Sequence, residues 1–85
     1  MEWKEAVELA KNGDNRGYDY LYTQTCNKNY YLALKYMEDE ESAKDVLQES
    51  YIKAFNKLEQ LKDANKFSGW MSRIVANMAI DVLRN

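Results

Sequence analysis

Four side chains near the middle of the sequence are spaced so that they share one side of a helix. They stand at positions i, i+3, i+4 and i+7: Asp45, Gln48, Glu49 and Ile52. At about 100° per residue, this spacing gathers them on one face. Carboxylates and an amide beside an isoleucine suit binding to another protein, through charge-assisted hydrogen bonds and an apolar contact. A surface isoleucine without any partner is common enough to be an equal alternative.

A second row of side chains, near the C-terminus, has the chemistry of nucleic-acid contact. Its members lie within roughly 60° of one another on the last predicted helix: Arg73, Asn77, Ile80 and Arg84. Arginine binds phosphate and asparagine hydrogen-bonds base edges. Trp70, at the margin of the row, can stack on an unpaired base, although a tryptophan in a small helical protein belongs more often to the core. A solvated helix face is the alternative interpretation of the whole row.

Four lysines precede this row along the chain: Lys53, Lys57, Lys62 and Lys66. As a group they are typical of an electrostatic track that attracts nucleic acid. Lysines near helix ends also serve solubility and the helix dipole, so the lysines alone are weak support.

The composition gives no basis for catalysis or for a metal site. The chain has no histidine, and its single cysteine, Cys26, cannot form an internal disulfide bond. Most of the six acidic residues between positions 38 and 49 stand where helix starts favour negative charge, and no nucleophile accompanies them. We therefore predict a protein that is not an enzyme, with no catalytic residue, metal, cofactor or small-molecule substrate.

The charge of the chain is segregated along its length. The 85 residues include 12 basic and 14 acidic side chains, a balance that by itself argues against nucleic-acid binding. Residues 1–37 hold five basic and five acidic side chains, residues 38–50 hold one and six, and residues 51–85 hold six and three. An acidic middle and a basic end favour two different partners.

The scarcity of helix breakers predicts an all-α fold. There is no proline and there are three glycines, so we expect a small bundle of three long helices plus a short N-terminal helix. The first expected helix runs from about Trp3 to Lys11 and is ended by Asn12-Gly13-Asp14. The second runs from about Asn15 to Met37, is capped by Asp14 and bends near Thr25–Asn29. The third is capped by Asp39 and runs to about Leu61; after a loop at Lys62–Lys66, the last is capped by Asn65 or Ser68 and reaches Leu83.

The apolar spacing predicts which side of each helix is buried. For the second helix the expected core residues are Tyr18, Leu21, Tyr22, Cys26, Tyr30, Leu34 and Met37. For the third they are Ala43, Val46, Leu47, Ser50, Ala54, Leu58 and Leu61, and for the last Met71, Ile74, Val75, Met78 and Val82. No apolar run reaches membrane-spanning length, which favours a cytoplasmic protein without a membrane partner. The chain stops without a helix-ending signal, as a piece of a longer protein does.

Several motifs occur in an order that resembles region 2 of bacterial RNA polymerase sigma factors, especially the extracytoplasmic-function (ECF) group. They are Gly13-Asp14, Leu21-Tyr22, Ala33-Leu34, Ala43-x-Asp45-Val46-Leu47-Gln48-Glu49-x-Tyr51-x-x-Ala54 and Phe67-x-x-Trp70-Met71-x-Arg73-Ile74-x-x-Asn77-x-Ala79-x-Asp81-x-Leu83-Arg84. The resemblance covers nearly the whole chain, so residues 1–85 are expected to form one region 2 domain. The region 4 domain, a helix-turn-helix that reads the −35 element in this family, is absent from the chain.

The resemblance implies a role for each of the two rows. In the family, the first row docks on the clamp helices of the largest catalytic subunit of core RNA polymerase; here that implies Asp45, Gln48, Glu49 and Ile52. The last helix and the loop before it recognise the non-template strand of the −10 promoter element and hold a flipped base. The implied DNA-binding residues are Lys62, Asn65, Lys66, Trp70, Arg73, Ile74, Asn77 and Arg84. Ile74 and Asn77 would line the base pocket and the loop Leu61–Lys66 would close it. An anti-sigma protein is a further candidate partner.

Two departures from the family pattern leave an alternative open. Ser72 stands where many relatives carry an aromatic residue, and Ala76 stands where many carry arginine. The loop also has no aromatic residue of its own. Ser72 and Ala76 favour a sigma-like interaction module that binds polymerase or a regulator without reading DNA. With region 4 absent, the chain is expected to bind core polymerase or single-stranded −10 DNA without directing full promoter recognition.

Overall fold

Four α-helices and two short 3₁₀ turns make up the computed structural model, which describes residues 1–85. The helices are α1 (Trp3–Lys11), α2 (Asn15–Met37), α3 (Glu40–Asn56) and α4 (Phe67–Arg84). The 3₁₀ turns, Leu58–Gln60 and Ala64–Lys66, lie between α3 and α4. The predicted all-α bundle of three long helices and a short N-terminal one is confirmed. None of the helices is long and apolar enough to cross a membrane.

Local caps fix the first helix boundaries where the sequence predicts them. Gly13 has a φ of 79°, a left-handed conformation that ends α1 at little cost for glycine. Asp14 then caps α2, because its Oδ1 accepts a hydrogen bond from the Arg16 backbone N–H at 2.9 Å. Asp39 caps α3 in the same way, through the Ser42 N–H at 2.8 Å. Each of these signals lies within a few residues of the boundary that it sets.

The predicted boundaries between α3 and α4 are wrong. α3 ends at Asn56 instead of continuing to about Leu61, and a 3₁₀ turn carries the chain onward. Leu61 is nevertheless buried, as predicted. Neither Asn65 nor Ser68 caps α4: its N-cap residue is Lys66, without a side-chain hydrogen bond. The backbone N–H of Asn65 instead donates to Asp63 Oδ1 at 3.0 Å, so that Asp63 caps the second 3₁₀ turn.

The buried side of α2 differs from the predicted apolar stripe. It consists of residues four apart: Gly17, Leu21, Thr25, Asn29 and Ala33. Most of the tyrosines, Leu34, Met37 and Cys26 are only half-buried beside this row, and the Tyr22 side chain is exposed. α2 is one continuous α-helix, so Thr25 and Asn29 face the interior instead of marking a bend.

Glycine is required where α1 crosses α2. A Cβ atom on Gly17 would lie 2.4 Å from the Ala6 carbonyl oxygen and 2.5 Å from the Ala10 nitrogen. Both neighbours are backbone atoms, which cannot move aside as a flexible side chain could. The crossing therefore depends on a residue without a side chain.

A chain of buried hydrogen bonds joins α2, α3 and α4. Ser72 Oγ donates to Asn29 Oδ1 at 2.8 Å, and Asn29 Nδ2 donates to the Tyr51 hydroxyl at 3.0 Å. Thr25 Oγ1 donates to the Leu21 carbonyl at 2.7 Å, so the Tyr51 hydroxyl supplies the hydrogen in its bond to Thr25. Burial raises the pKa of the Tyr51 hydroxyl above its usual 10.0 and keeps it neutral. We call these four side chains the buried network.

The apolar core fills the space around the buried network. On α4 the fully buried residues are Phe67, Met71, Val75 and Ala79. Ile74 and Met78 are half-buried at the sides of this row, whereas Val82, predicted to be buried, keeps 46% of its surface exposed because it lies in the last turn. The Trp3 ring stacks on Phe67 with centroids 6.1 Å apart and so attaches α1 to the start of α4.

Candidate functional site

The first predicted row, here called the α3 face, is fully presented to solvent. Asp45, Gln48 and Glu49 are exposed, and Ile52 keeps 50% of its surface accessible. None of these polar side chains makes an intramolecular hydrogen bond, and the chain's one ion pair lies elsewhere. The opposite side of α3 is buried as predicted. The α3 face therefore has polar groups and an apolar side chain available for a partner.

The α3 face borders two depressions. Gln48 and Ile52 line an open groove of about 500 Å³ that also includes Tyr22, Leu47 and Phe55. Asp45 and Glu49 line a smaller depression of about 150 Å³ on the other side, with Met78 and Val82 of α4. Lys44 and Tyr51 also line the larger groove, although the sequence does not predict a binding role for either. The spacing of Tyr22 predicts a core residue, but the buried side of α2 lies elsewhere and leaves the Tyr22 ring exposed.

The second candidate region is a groove of about 600 Å³ between the chain segment after α3 and the first turns of α4. We call it the loop groove. Four of its residues were predicted from the sequence: Lys62, Lys66, Trp70 and Arg73. The others are Gln60, Leu61, Asp63 and Gly69. Trp70 is half-buried and lies beside Phe67, with ring centroids 5.9 Å apart. One side of the indole therefore packs on the core, and the rest lies at the groove.

The structure does not bring all the predicted residues into this groove. Ile74 is half-buried against the core and Asn77 is exposed one turn beyond Arg73, so neither lines the groove that the loop closes. Arg84 is exposed at the far end of α4. Asn65 faces a separate depression next to α1. A role of these residues in binding, and a pocket formed by Ile74, Asn77 and the loop, remain predictions.

The cations of the loop groove have no carboxylate partner within the chain. The one ion pair in the structure joins Arg16 and Asp14, at 2.7 Å, so Lys62, Lys66 and Arg73 keep their charges available. The only carboxylate among the lining residues, Asp63, accepts the hydrogen bond of the 3₁₀ turn. Such a surface suits phosphate groups, which form charge-assisted hydrogen bonds with lysine and arginine.

A long-range contact holds the loop in place. The Lys11 ammonium of α1 donates to the Leu61 carbonyl oxygen at 2.9 Å, across 50 residues of sequence. Leu58, the first residue of the first 3₁₀ turn, and Leu61, which follows that turn, are both buried. Lysine is common in the last turn of a helix, where its charge complements the helix dipole. The sequence therefore gives no sign that Lys11 contacts the loop.

The acidic cluster at the start of α3 does not form a cation site. No three His, Cys, Asp or Glu side chains anywhere in the structure are placed to hold a metal ion together. Asp39, a member of the cluster, caps α3, and hydrogen bonds from Ser42 lower the pKa of its carboxyl group. The cluster is thus explained by helix capping and by the α3 face.

Comparison with known proteins identifies relatives of the chain. The model of the family described as Sigma-70 region 2 matches residues 21–85. The RNA polymerase sigma-H factor of Pseudomonas aeruginosa is 33% identical over 76 residues, which are 89% of this chain and 39% of that protein. The ECF RNA polymerase sigma factor SigW of Bacillus subtilis is 29% identical over 84 residues, 99% of this chain and 45% of that protein. The chain thus spans less than half the length of these relatives.

A solved structure is similar over nearly the whole chain. It is the NMR structure of the complex formed by an engineered region 2 of sigmaE with GTAAAA. The TM-score is 0.85 with 32% sequence identity, and the match covers 98% of this chain and 86% of that one. Likeness of this degree extends to α1, which lies outside the residues that the family model matches.

Proposed function

Because the chain belongs to the sigma-70 region 2 family and its relatives include ECF sigma factors, we propose that it is the domain of an alternative sigma factor that binds core RNA polymerase and recognises the −10 promoter element. The observation that carries this proposal is the separation of its two candidate surfaces. An acidic, partly apolar helix face lies on α3, and a basic groove without internal ion pairs lies between the loop and α4 of the same bundle. The protein itself performs no chemistry and gives promoter specificity to an enzyme.

The loop groove is the proposed site for opened promoter DNA. Its free cations favour a phosphate backbone, and the accessible side of Trp70 offers a surface on which an unpaired base can stack. The structural neighbour was solved in complex with GTAAAA, which supports a ligand of this kind. Capture of an extruded base offsets the few kcal/mol that unstacking costs, so binding to the single strand promotes melting.

The α3 face is the proposed site for the polymerase, specifically for the clamp helices of its largest subunit. Carboxylates of Asp45 and Glu49 would pair with basic side chains of the partner, while Ile52 fills an apolar contact beside the groove that includes Tyr22. An anti-sigma protein that covers the same face would compete with polymerase. We therefore expect the protein to act in the cytoplasm, together with the polymerase.

The alternative function, a module without DNA reading, loses one of its two arguments. Ser72 departs from the aromatic residue of many relatives, but its hydroxyl hydrogen-bonds Asn29 in the buried network. Its identity therefore follows from packing between α2 and α4. Ala76, which stands where many relatives carry arginine, is half-buried and is the one remaining argument for this alternative.

Binding of a −10 non-template oligonucleotide tests the DNA proposal. We expect Arg73→Ala to weaken binding and to reduce the slope of log K against log salt by about 0.7, the value for one phosphate contact on a single strand. Asn77→Ala is expected to cost about 1–3 kcal/mol on the preferred sequence and less on a scrambled one, because it removes a base contact. Fluorescence anisotropy at several salt concentrations measures both quantities.

Lys35→Ala provides the matched control, since Lys35 is exposed on α2 and does not line the loop groove. It is expected to leave the affinity within about twofold of the unmodified chain. Binding that is unchanged by both Arg73→Ala and Asn77→Ala would contradict the DNA proposal and favour the interaction module.

A further inference from the structure

Two consecutive residues of α2 hold the first half of α4 through hydrogen bonds. The Lys28 ammonium donates to the Ser68 hydroxyl, and Asn29 Oδ1 accepts from the Ser72 hydroxyl at 2.8 Å. Because Ser68 and Ser72 are four residues apart, they lie one turn from each other on the same side of α4. We call these two hydrogen bonds the serine contacts. Two directional bonds to one side of a helix restrict its rotation about its own axis.

Packing alone defines this rotation less well, because the side of α4 that meets α2 is small. The fully buried row of α4 is flanked on one side by three large, half-buried residues and on the other by three small ones: Trp70, Ile74 and Met78, and Ser68, Ser72 and Ala76. Small side chains form low ridges that interlock little with a neighbouring helix. On this side the serine contacts take the place of interlocking side chains.

The contact made by Asn29 has only one satisfied geometry. Asn29 is completely buried, and its Nδ2 donates to the Tyr51 hydroxyl at 3.0 Å. Since that hydroxyl already donates to Thr25, it can only accept from Asn29, so the amide oxygen must point to Ser72. Lys28 is exposed. Its contact with Ser68 therefore competes with water and contributes less to holding α4.

The rotation of α4 decides where its outward side chains point. Side-chain tips lie about 5–6 Å from a helix axis, so a rotation of about 20° moves them by about 2 Å. A hydrogen bond to a base edge tolerates a change of only about 0.5 Å in length. The attraction between a cation and a phosphate falls slowly with distance and is less sensitive to such a shift. A loosened α4 should therefore lose base recognition before it loses affinity for the backbone.

We propose that Asn29, assisted by Lys28, is a positioning residue for base recognition. Through the serine contacts it sets the rotation of α4 at which the exposed Asn77 meets the base edge. Asn29 is buried and cannot touch DNA, so any effect that it has on sequence preference passes through α4. This inference rests on the proposed function, in which α4 reads the opened strand, and adds a residue of α2 that determines its specificity.

The ratio of affinities for two strands of equal length and composition tests this role on the complete 85-residue chain. The preferred strand is selected with the unmodified chain from GTAAAA and its single-base variants, and the second strand is a scrambled version of it. Asn29→Leu and Ser72→Ala each remove the buried contact and are expected to lower the ratio by roughly three- to tenfold. The salt slope for the scrambled strand should stay unchanged, because the phosphate contacts remain. Lys28→Met should lower the ratio less.

Thr25→Val is the matched control, because it removes a hydroxyl of the buried network that bonds α3 but not α4. It should lower the free energy of unfolding and yet keep the ratio within about twofold, since partial unfolding weakens binding of both strands equally. The double variant Asn29→Leu/Ser72→Ala should have no lower ratio than Asn29→Leu alone, because both substitutions remove the same bond.

A ratio preserved in both Asn29→Leu and Ser72→Ala, or an equal fall in Thr25→Val, would overturn the positioning role. Ser72→Ala decides the matter if Asn29→Leu does not fold. If the unmodified chain discriminates between the strands while the variants discriminate equally well, the proposed function stands and only this inference fails. If the unmodified chain does not discriminate, both fail.

Discussion

The α3 face lies on one regular helix, whereas the loop groove is assembled from the end of a 3₁₀ turn, an irregular loop and the first turns of α4. Every residue of the α3 face is placed by the pitch of a single helix. The loop groove depends on a hydrogen bond from Lys11, on Asp63 and on two buried leucines. A binding surface of the first kind can be located from spacing alone, and one of the second kind cannot.

The buried network connects these two surfaces. Tyr51 precedes Ile52 of the α3 face, and Ser72 precedes Arg73 of the loop groove, while both hydroxyls bond to Asn29 of α2. Their side chains point inward and those of their neighbours point outward. The network thus fixes the orientation of α3 relative to α4 and, with it, the angle between the two surfaces.

The largest effect is expected on the α3 face alone. Glu49→Lys places a cation where the proposed partner is basic, so affinity for core RNA polymerase should fall by about a hundredfold or more. Binding to single-stranded −10 DNA should change by less than about twofold, because Glu49 is outside the loop groove. Co-purification with polymerase and a titration of labelled oligonucleotide measure the two effects.

The control for this charge reversal is Glu5→Lys, on the exposed side of α1 and outside both surfaces. It should leave polymerase binding intact. An equal loss from the two variants, or retained binding by Glu49→Lys, would remove the distinction between the α3 face and the rest of the surface.

An intermediate effect is expected in the buried network. Tyr51→Phe deletes the hydroxyl that bonds both Thr25 and Asn29. Asn29 Nδ2 is then buried without a partner, and Thr25 Oγ1 keeps only its bond to the Leu21 carbonyl. The free energy of unfolding should fall by about 1–3 kcal/mol, measured by urea denaturation. Tyr31→Phe is the matched control, since the Tyr31 side chain is 67% exposed. If the two substitutions have the same small effect, the network does not determine how α3 and α4 are joined.

The smallest effect is expected at the junction of α1 and α2. The hydrogen bonds that Asp14 accepts from the Arg16 side chain and backbone lower the pKa of its carboxyl group to about 2. Because the folded chain favours the carboxylate, its stabilising contribution is complete above about pH 4 and disappears as the pH falls through 2. Asp14→Asn keeps a capping side chain and should therefore lower the melting temperature slightly at pH 7, by an amount that shrinks between pH 4 and 2.

Asp19→Asn serves as the comparison for this pH series, because Asp19 is exposed on α2 without a hydrogen-bond partner. If the difference in melting temperature between the unmodified chain and Asp14→Asn stays constant down to pH 2, the role of the carboxylate charge is contradicted. Since α1 carries Lys11, a loosened junction should affect DNA binding at the loop groove more than polymerase binding at the α3 face.

The sequence by itself determined the features that depend on neighbouring residues. Gly13 and Asp14 set the boundary between α1 and α2, and Asp39 set the start of α3, because a cap acts on backbone groups two or three residues away. The exposure of Gln48 and Ile52 followed from the apolar period of α3. Charge segregation between the two surfaces was likewise evident from residue counts.

Only the tertiary structure decided which side of α2 is buried, where α3 ends and what forms the grooves. Thr25 and Asn29 can be buried because Tyr51 and Ser72, on other helices, satisfy their hydrogen bonds. A prediction from helical spacing expects such polar residues to be exposed, because it uses only the apolar residues of a single helix. The contact of Lys11 with the loop joins residues 50 apart, and a contact of this range depends on how the whole bundle packs.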